Sequence, residues 1–87
     1  MHELSIAQYL FDFCKTIEQQ YKPKEITKIN LSVNPLSCLN EDILGFLLKN
    51  IAESEKNIAL QNVKIHIEKN NSPDSREITV KDIEIEE

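Results

Sequence analysis

From Leu4 to Tyr21 the apolar positions return every three or four residues, at Ala7, Leu10, Cys14, Ile17 and Tyr21, with Ile6 and Phe13 beside them. That period predicts an amphipathic helix with one broad buried stripe and Asp12, Lys15, Glu18 and Gln19 on its wet side. Ser5 followed by Gln8 fits a capping box, and a start at Glu3 fits equally well. Lys22-Pro23 ends the helix, because the residue before proline avoids helical angles. From Ile26 to Val33 the period drops to two. Ile29, Leu31 and Val33 fall on one side, and Lys28, Asn30 and Ser32 on the other, which predicts a half-buried strand.

Asn34-Pro35 breaks that strand, and a loop runs through Leu36-Ser37-Cys38-Leu39. Asn40 suits an N-cap, with Glu41 and Asp42 in the first turn, where the helix dipole favours acids. Ile43, Leu44, Leu47, Leu48 and Ile51 make the stripe of a second helix, with Phe46 at its margin, and it frays over residues 53–57. Val63, Ile65 and Ile67 alternate with Lys64, His66 and Glu68 as a second strand. The polar stretch Lys69 to Arg76 reads as a loop. The last strand runs from about Glu77 to Glu86 and changes phase midway, from Ile78 and Val80 to Ile83 and Ile85. A bulge near Lys81-Asp82 would return all four to one face.

The order α-β-α-β-β predicts an α+β domain, with two helices on one face of a three-stranded mixed sheet, since a strand-helix-strand unit crosses over in one hand. The short loop 69–76 suggests that the second and third strands form an antiparallel hairpin. The opposite sheet face, lined by Lys, Asn, Ser, His and Glu, would be wet.

At 87 residues the chain makes one small domain. A net charge of -5 without a basic cluster argues against a nucleic-acid partner. No apolar run reaches the ~18 residues of a membrane span. The opening lacks the basic start and apolar core of a signal peptide, so the expected location is cytoplasmic. Gly45 is the single glycine, which removes every glycine-rich phosphate loop. Two cysteines 24 positions apart, Cys14 and Cys38, form no C-x-x-C, so no structural zinc is expected. Cys14 lies on the buried stripe, Cys38 in a loop, and His66 on a strand's polar side.

The candidate chemistry sits at Met1, His2 and Glu3. An α-amine, a backbone nitrogen and an imidazole Nδ1 in succession can close five- and six-membered rings on one ion. With the amide deprotonated, such nitrogens suit square-planar Ni(II) or Cu(II) better than Zn(II) or Mg(II). Methionine is expected to stay, because its removal needs a small second residue. Glu3 either completes the square or serves the helix dipole. These residues stand in or before a first turn whose N–H groups have no helical partner.

Taken with the order of elements, the opening Met1-His2-Glu3-Leu4-Ser5-Ile6-Ala7-Gln8 resembles that of the HypA/HybF family of nickel chaperones. Ile26-Thr27-Lys28-Ile29-Asn30-Leu31 resembles that family's first strand, Leu36-Ser37 the Leu-Ser after it, and Ile83-Glu84-Ile85-Glu86 its usual ending. The resemblance implies Ni(II) binding at Met1, His2 and Glu3 in [NiFe]-hydrogenase maturation, with a maturation factor or hydrogenase precursor as partner. The family inserts a zinc domain with two C-x-x-C pairs between its second and third strands; here Lys69-Asn70-Asn71-Ser72-Pro73-Asp74 stands in its place. Asn34-Pro35 also departs from the family, which tends to have glycine and an acidic or variable residue there.

No nucleophile with a histidine base and no forced carboxylate pair is present, so an enzyme is not expected. The alternative to a metallochaperone is a metal-free interaction module on the same fold. Two open sheet edges would permit a homodimer in either case.

Overall fold

A computed structural model of the chain describes residues 3–22 and 24–86. The elements are α1 (Glu3–Tyr21), β1 (Ile26–Val33), α2 (Glu41–Ser54), a short 3₁₀ turn (Ala59–Asn62), β2 (Lys64–Lys69) and β3 (Ile78–Ile85). Apart from the 3₁₀ turn, this is the α-β-α-β-β order the periodicity predicts. The turn went unread because Ala59-Leu60-Gln61-Asn62 is too short to show a period. It buries Leu60, whose N–H donates to Asn57 Oδ1 at 3.0 Å.

Helix α1 begins at Glu3, the earlier of the two starts. Its buried residues are Ala7, Leu10, Phe11 and Cys14, so the stripe lies further towards Phe11 than expected, and Tyr21 is exposed. Helix α2 starts as its sequence demands: Asn40 Oδ1 accepts from the Ile43 N–H at 3.0 Å. It buries Leu44, Leu48 and Ala52, and leaves Ile43 and Phe46 exposed. It ends with Lys56 in the left-handed region, φ 58°, while the Asn57 N–H returns to the Ala52 carbonyl at 2.8 Å. That closing bond pattern satisfies carbonyls the helix end would otherwise leave bare.

The sheet has the order β2-β1-β3, with β1 parallel to β2 and antiparallel to β3. The expected hairpin between the second and third strands is therefore wrong. The parallel β1-α2-β2 unit takes one edge of β1, and β3 takes the other. β1 is the most buried strand, and flanking it on both sides covers Ile26, Ile29, Leu31 and Val33 completely or nearly so. The loop between β2 and β3 then has to pass over the end of β1, a span of about 9.6 Å at two strand spacings. Residues 70–77 cover it. The Asn70 N–H donates to the Val33 carbonyl at 2.9 Å, and the Asn34 N–H donates to the Glu77 carbonyl at 3.0 Å. The Asn34 side chain ties the loop down, its Nδ2 donating to the carbonyls of Pro73 at 2.8 Å and Ser75 at 2.9 Å.

The phase change in β3 is a bulge where the sequence places it. Asn30 pairs with Asp82 and Leu31 with Val80, so Lys81 is the extra residue. A second irregularity falls at Thr27, between the pairs Ile26–Ile85 and Lys28–Glu84. It brings Ile26 to the same buried face as Ile29, which strict alternation would not do. The far side of the sheet is polar as expected. There Asn30 Nδ2 donates to Asp82 at 2.6 Å and to Glu84 at 2.9 Å, and Lys81 pairs with Glu68 at 3.1 Å.

Candidate metal centre

Of the three residues carrying the candidate chelate, Glu3 is described, and Met1 and His2 lie outside the described residues. Glu3 is the first residue of α1 and is half-buried. One turn further on, Ala7 is fully buried, and Ile6 packs against the core. The helix start at Glu3 is thus anchored to the domain within a single turn. The first N–H groups of any helix lack intrahelical acceptors. A carboxylate in that turn opposes the positive end of the dipole, which otherwise disfavours a cation by about 0.5 kcal/mol.

The other candidate donors are spoken for or set apart. The Asn40 side-chain oxygen serves as a cap. The Glu41 carboxylate accepts from the Ile67 N–H of β2 at 3.0 Å and stands 3.8 Å from His66 Nδ1. That contact was missed in the sequence, since Glu41 and His66 meet only through the crossover that sets β2 under the start of α2. Cys14 is buried and Cys38 is exposed, and both are free. Among the described residues no three His, Cys, Asp or Glu side chains gather as a metal cluster.

Burial pushes the Cys14 thiol up from 9.0 to about 12, and the neighbouring Glu18 carboxylate adds to the rise. The sign follows directly. The unfolded thiol ionises near 9.0 while the folded one keeps its proton, so the contribution of Cys14 is complete below 9.0 and declines as pH climbs towards 12. Thiol labelling of the native protein at pH 8 should modify Cys38 and spare Cys14, with both reacting in denaturant. Modification of Cys14 at the rate of Cys38 would show that α1 does not bury it.

A family model described as "Hydrogenase/urease nickel incorporation, metallochaperone, hypA" matches residues 1–74. The chain belongs to the HypA family. A HypA protein of known structure, described as "Solution structure of HypA protein", superposes with a TM-score of 0.59 at 12% identity, over 100% of this chain and 93% of that one. At that identity the likeness concerns the fold, which the two share. No curated protein matches the chain. That family is one of nickel-incorporation metallochaperones. No described helix is long and apolar enough to cross a membrane.

Proposed function

We propose that this HypA-family chain takes up Ni(II) as cargo at Met1, His2 and Glu3 and passes it to a maturation factor or hydrogenase precursor. The observation that carries the reading is the family match beginning at residue 1, over a helix that starts at Glu3 and is docked by Ala7. In a chain that starts at Met1, the amine, the His2 backbone nitrogen and the imidazole provide three donors in consecutive positions. Glu3 adds a carboxylate from the first helical turn. Cargo held ahead of a helix, and not inside a closed cage, keeps an open side from which a recipient's ligands can take the ion.

The same reading treats the chain as a single nickel-binding domain, 1–87, in which the zinc domain of the family is replaced by the loop near 69–76, which carries no cysteine. Folding then depends on the apolar core and not on a structural metal. The test is a nickel titration by calorimetry of the chain with Met1 first, beside the same chain with one residue added before Met1. The added residue displaces the amine and changes the chelate spacing, so binding should weaken severely. Equal affinity in both would remove the site and leave a metal-free interaction module as the function.

A further inference from the structure

Between the flank of α1 and the inner face of β3 lies an open groove of about 790 Å³. Its floor is formed by Ile78, Val80, Ile83 and Ile85, and its wall carries Tyr9, Phe13 and Tyr21. The four β3 residues are only half-buried, whereas the equivalent residues of β1 are fully covered. Tyr9 is 57% exposed and Tyr21 48% exposed. Tyr9 and Phe13 are stacked, with ring centroids 6.3 Å apart, and the pair faces the groove. β3 is also an edge strand.

We propose that the groove and the β3 edge are covered by a second copy of this chain, the two β3 strands pairing antiparallel about a two-fold axis between Lys81 and Asp82. The occupant is fixed by self-complementarity of the strand. In that register Ile78 opposes Ile85 of the second copy, and Val80 opposes Ile83 of the second copy. Thr79 opposes Glu84 of the second copy, and Lys81 opposes Asp82 of the second copy. Apolar meets apolar at every inner position, and opposite charges meet twice on the outer face.

The bulge makes this possible. An even residue pairs with an odd one throughout, which in a regular strand would set inner against outer positions. Here the phase change at Lys81 moves the inner face from even to odd numbers, and the same change in the second copy answers it.

The backbone agrees. Asn34 donates to Glu77, and Glu86 donates to the Glu25 carbonyl at 2.9 Å, so Glu77 and Glu86 turn their polar groups towards β1. Antiparallel ladders alternate between bonded and non-bonded pairs. Counting inwards from each end, Ile78 and Val80, and likewise Ile85 and Ile83, turn their N–H and C=O groups to the free edge. These are the residues the proposed register sets opposite each other. Pairing would extend the sheet to six strands and bring the Tyr9, Phe13 and Tyr21 walls of the two copies together over a shared apolar floor. The other edge is less open, because the Glu41 carboxylate occupies the Ile67 N–H of β2.

Sedimentation of the whole chain over a range of concentrations tests this, alone and with the charge variants K81E and D82K. Each variant alone sets like charges opposite each other at the axis and should raise the dimer dissociation constant about tenfold or more. Mixing the two restores opposite charges and should give a heterodimer, which a folding defect would not do. Hydrogen exchange at Ile78, Val80, Ile83 and Ile85 should slow as concentration rises. A chain that stays monomeric at several hundred micromolar, a dimer indifferent to K81E and D82K, or protection that grows along β2 and not β3 would each overturn the proposal.

Discussion

Replacing His2 by alanine is expected to lower nickel affinity more than about a hundredfold while leaving the unfolding midpoint unchanged. Removing only the outer-shell support of a metal ligand commonly costs 10–100-fold. Loss of the imidazole itself also opens the six-membered ring, so the effect should exceed that range. Stability should be indifferent, because the core contributed by α1 begins at Ile6 and Ala7 and the helix itself begins at Glu3. Glu3→Gln should weaken binding moderately if the carboxylate ligates, and little if only the backbone nitrogen does. Model amines ionise near pH ~8 and imidazoles near ~6.5. Both must be neutral to bind, so affinity should climb from about pH 6 upwards. Cu(II) should bind more tightly than Ni(II) at the same atoms, as the order of divalent metals requires. Calorimetry giving equal nickel affinity for H2A and the parent chain would exclude the proposed site.

The elements were legible in the sequence because each carries a clean period bounded by a breaker. Pro23 and Asn34-Pro35 mark ends, and Asn40 marks a start that the structure bears out through its bond to Ile43. Even the bulge at Lys81 could be read, since isoleucines on both even and odd positions can share a face only if one residue is extra. Neighbours in the sheet could not be read in the same way. Loop length alone made a hairpin of the second and third strands attractive, but length limits only how far a loop reaches. The decision belongs to β1, whose two edges both gain by being covered. Ile26 shows the same limit at the scale of one residue, as it reaches the core through a bulge at Thr27 that no pattern announces.

The candidate site was legible for a different reason. Its donors are adjacent in sequence, so no fold is needed to bring them together. What the fold adds is an anchored base at Glu3. The Glu41–His66 contact and the self-complementary β3 edge are the opposite case, since each depends on the crossover and the strand order. Asn34 departs from the family pattern and reads in the sequence as a strand breaker, and the structure adds its hold on the loop at Pro73 and Ser75.

Asn34→Ala is expected to cost about 2–3 kcal/mol, at roughly 1 kcal/mol for each of three hydrogen bonds lost. The Asn34 Nδ2 holds Pro73 and Ser75 by their carbonyls, and Oδ1 accepts from the Leu36 N–H at 2.8 Å. One side chain therefore fixes both the exit from β1 and the loop that carries the chain over its end to β3. For a domain of this size such a loss shifts the melting temperature by roughly 10–20 °C. In urea the midpoint should fall with little change in slope, as the surface exposed on unfolding is nearly the same. The Asn34 and Asn70 amides, bonded to Glu77 and Val33, should lose protection from hydrogen exchange before those in the middle of β1. Ser75→Ala is the internal comparison. Ser75 Oγ makes its short bonds within the loop, to Asn70 Oδ1 at 3.1 Å and to the Ser72 carbonyl at 2.7 Å, and its contact with Asn34 Nδ2 is long at 3.5 Å, so its loss should cost less than about 1 kcal/mol. If N34A unfolds at the same urea concentration as the parent, then the loop is held by its backbone bonds alone. β3 would then reach the far edge of β1 without the asparagine that the structure places between them.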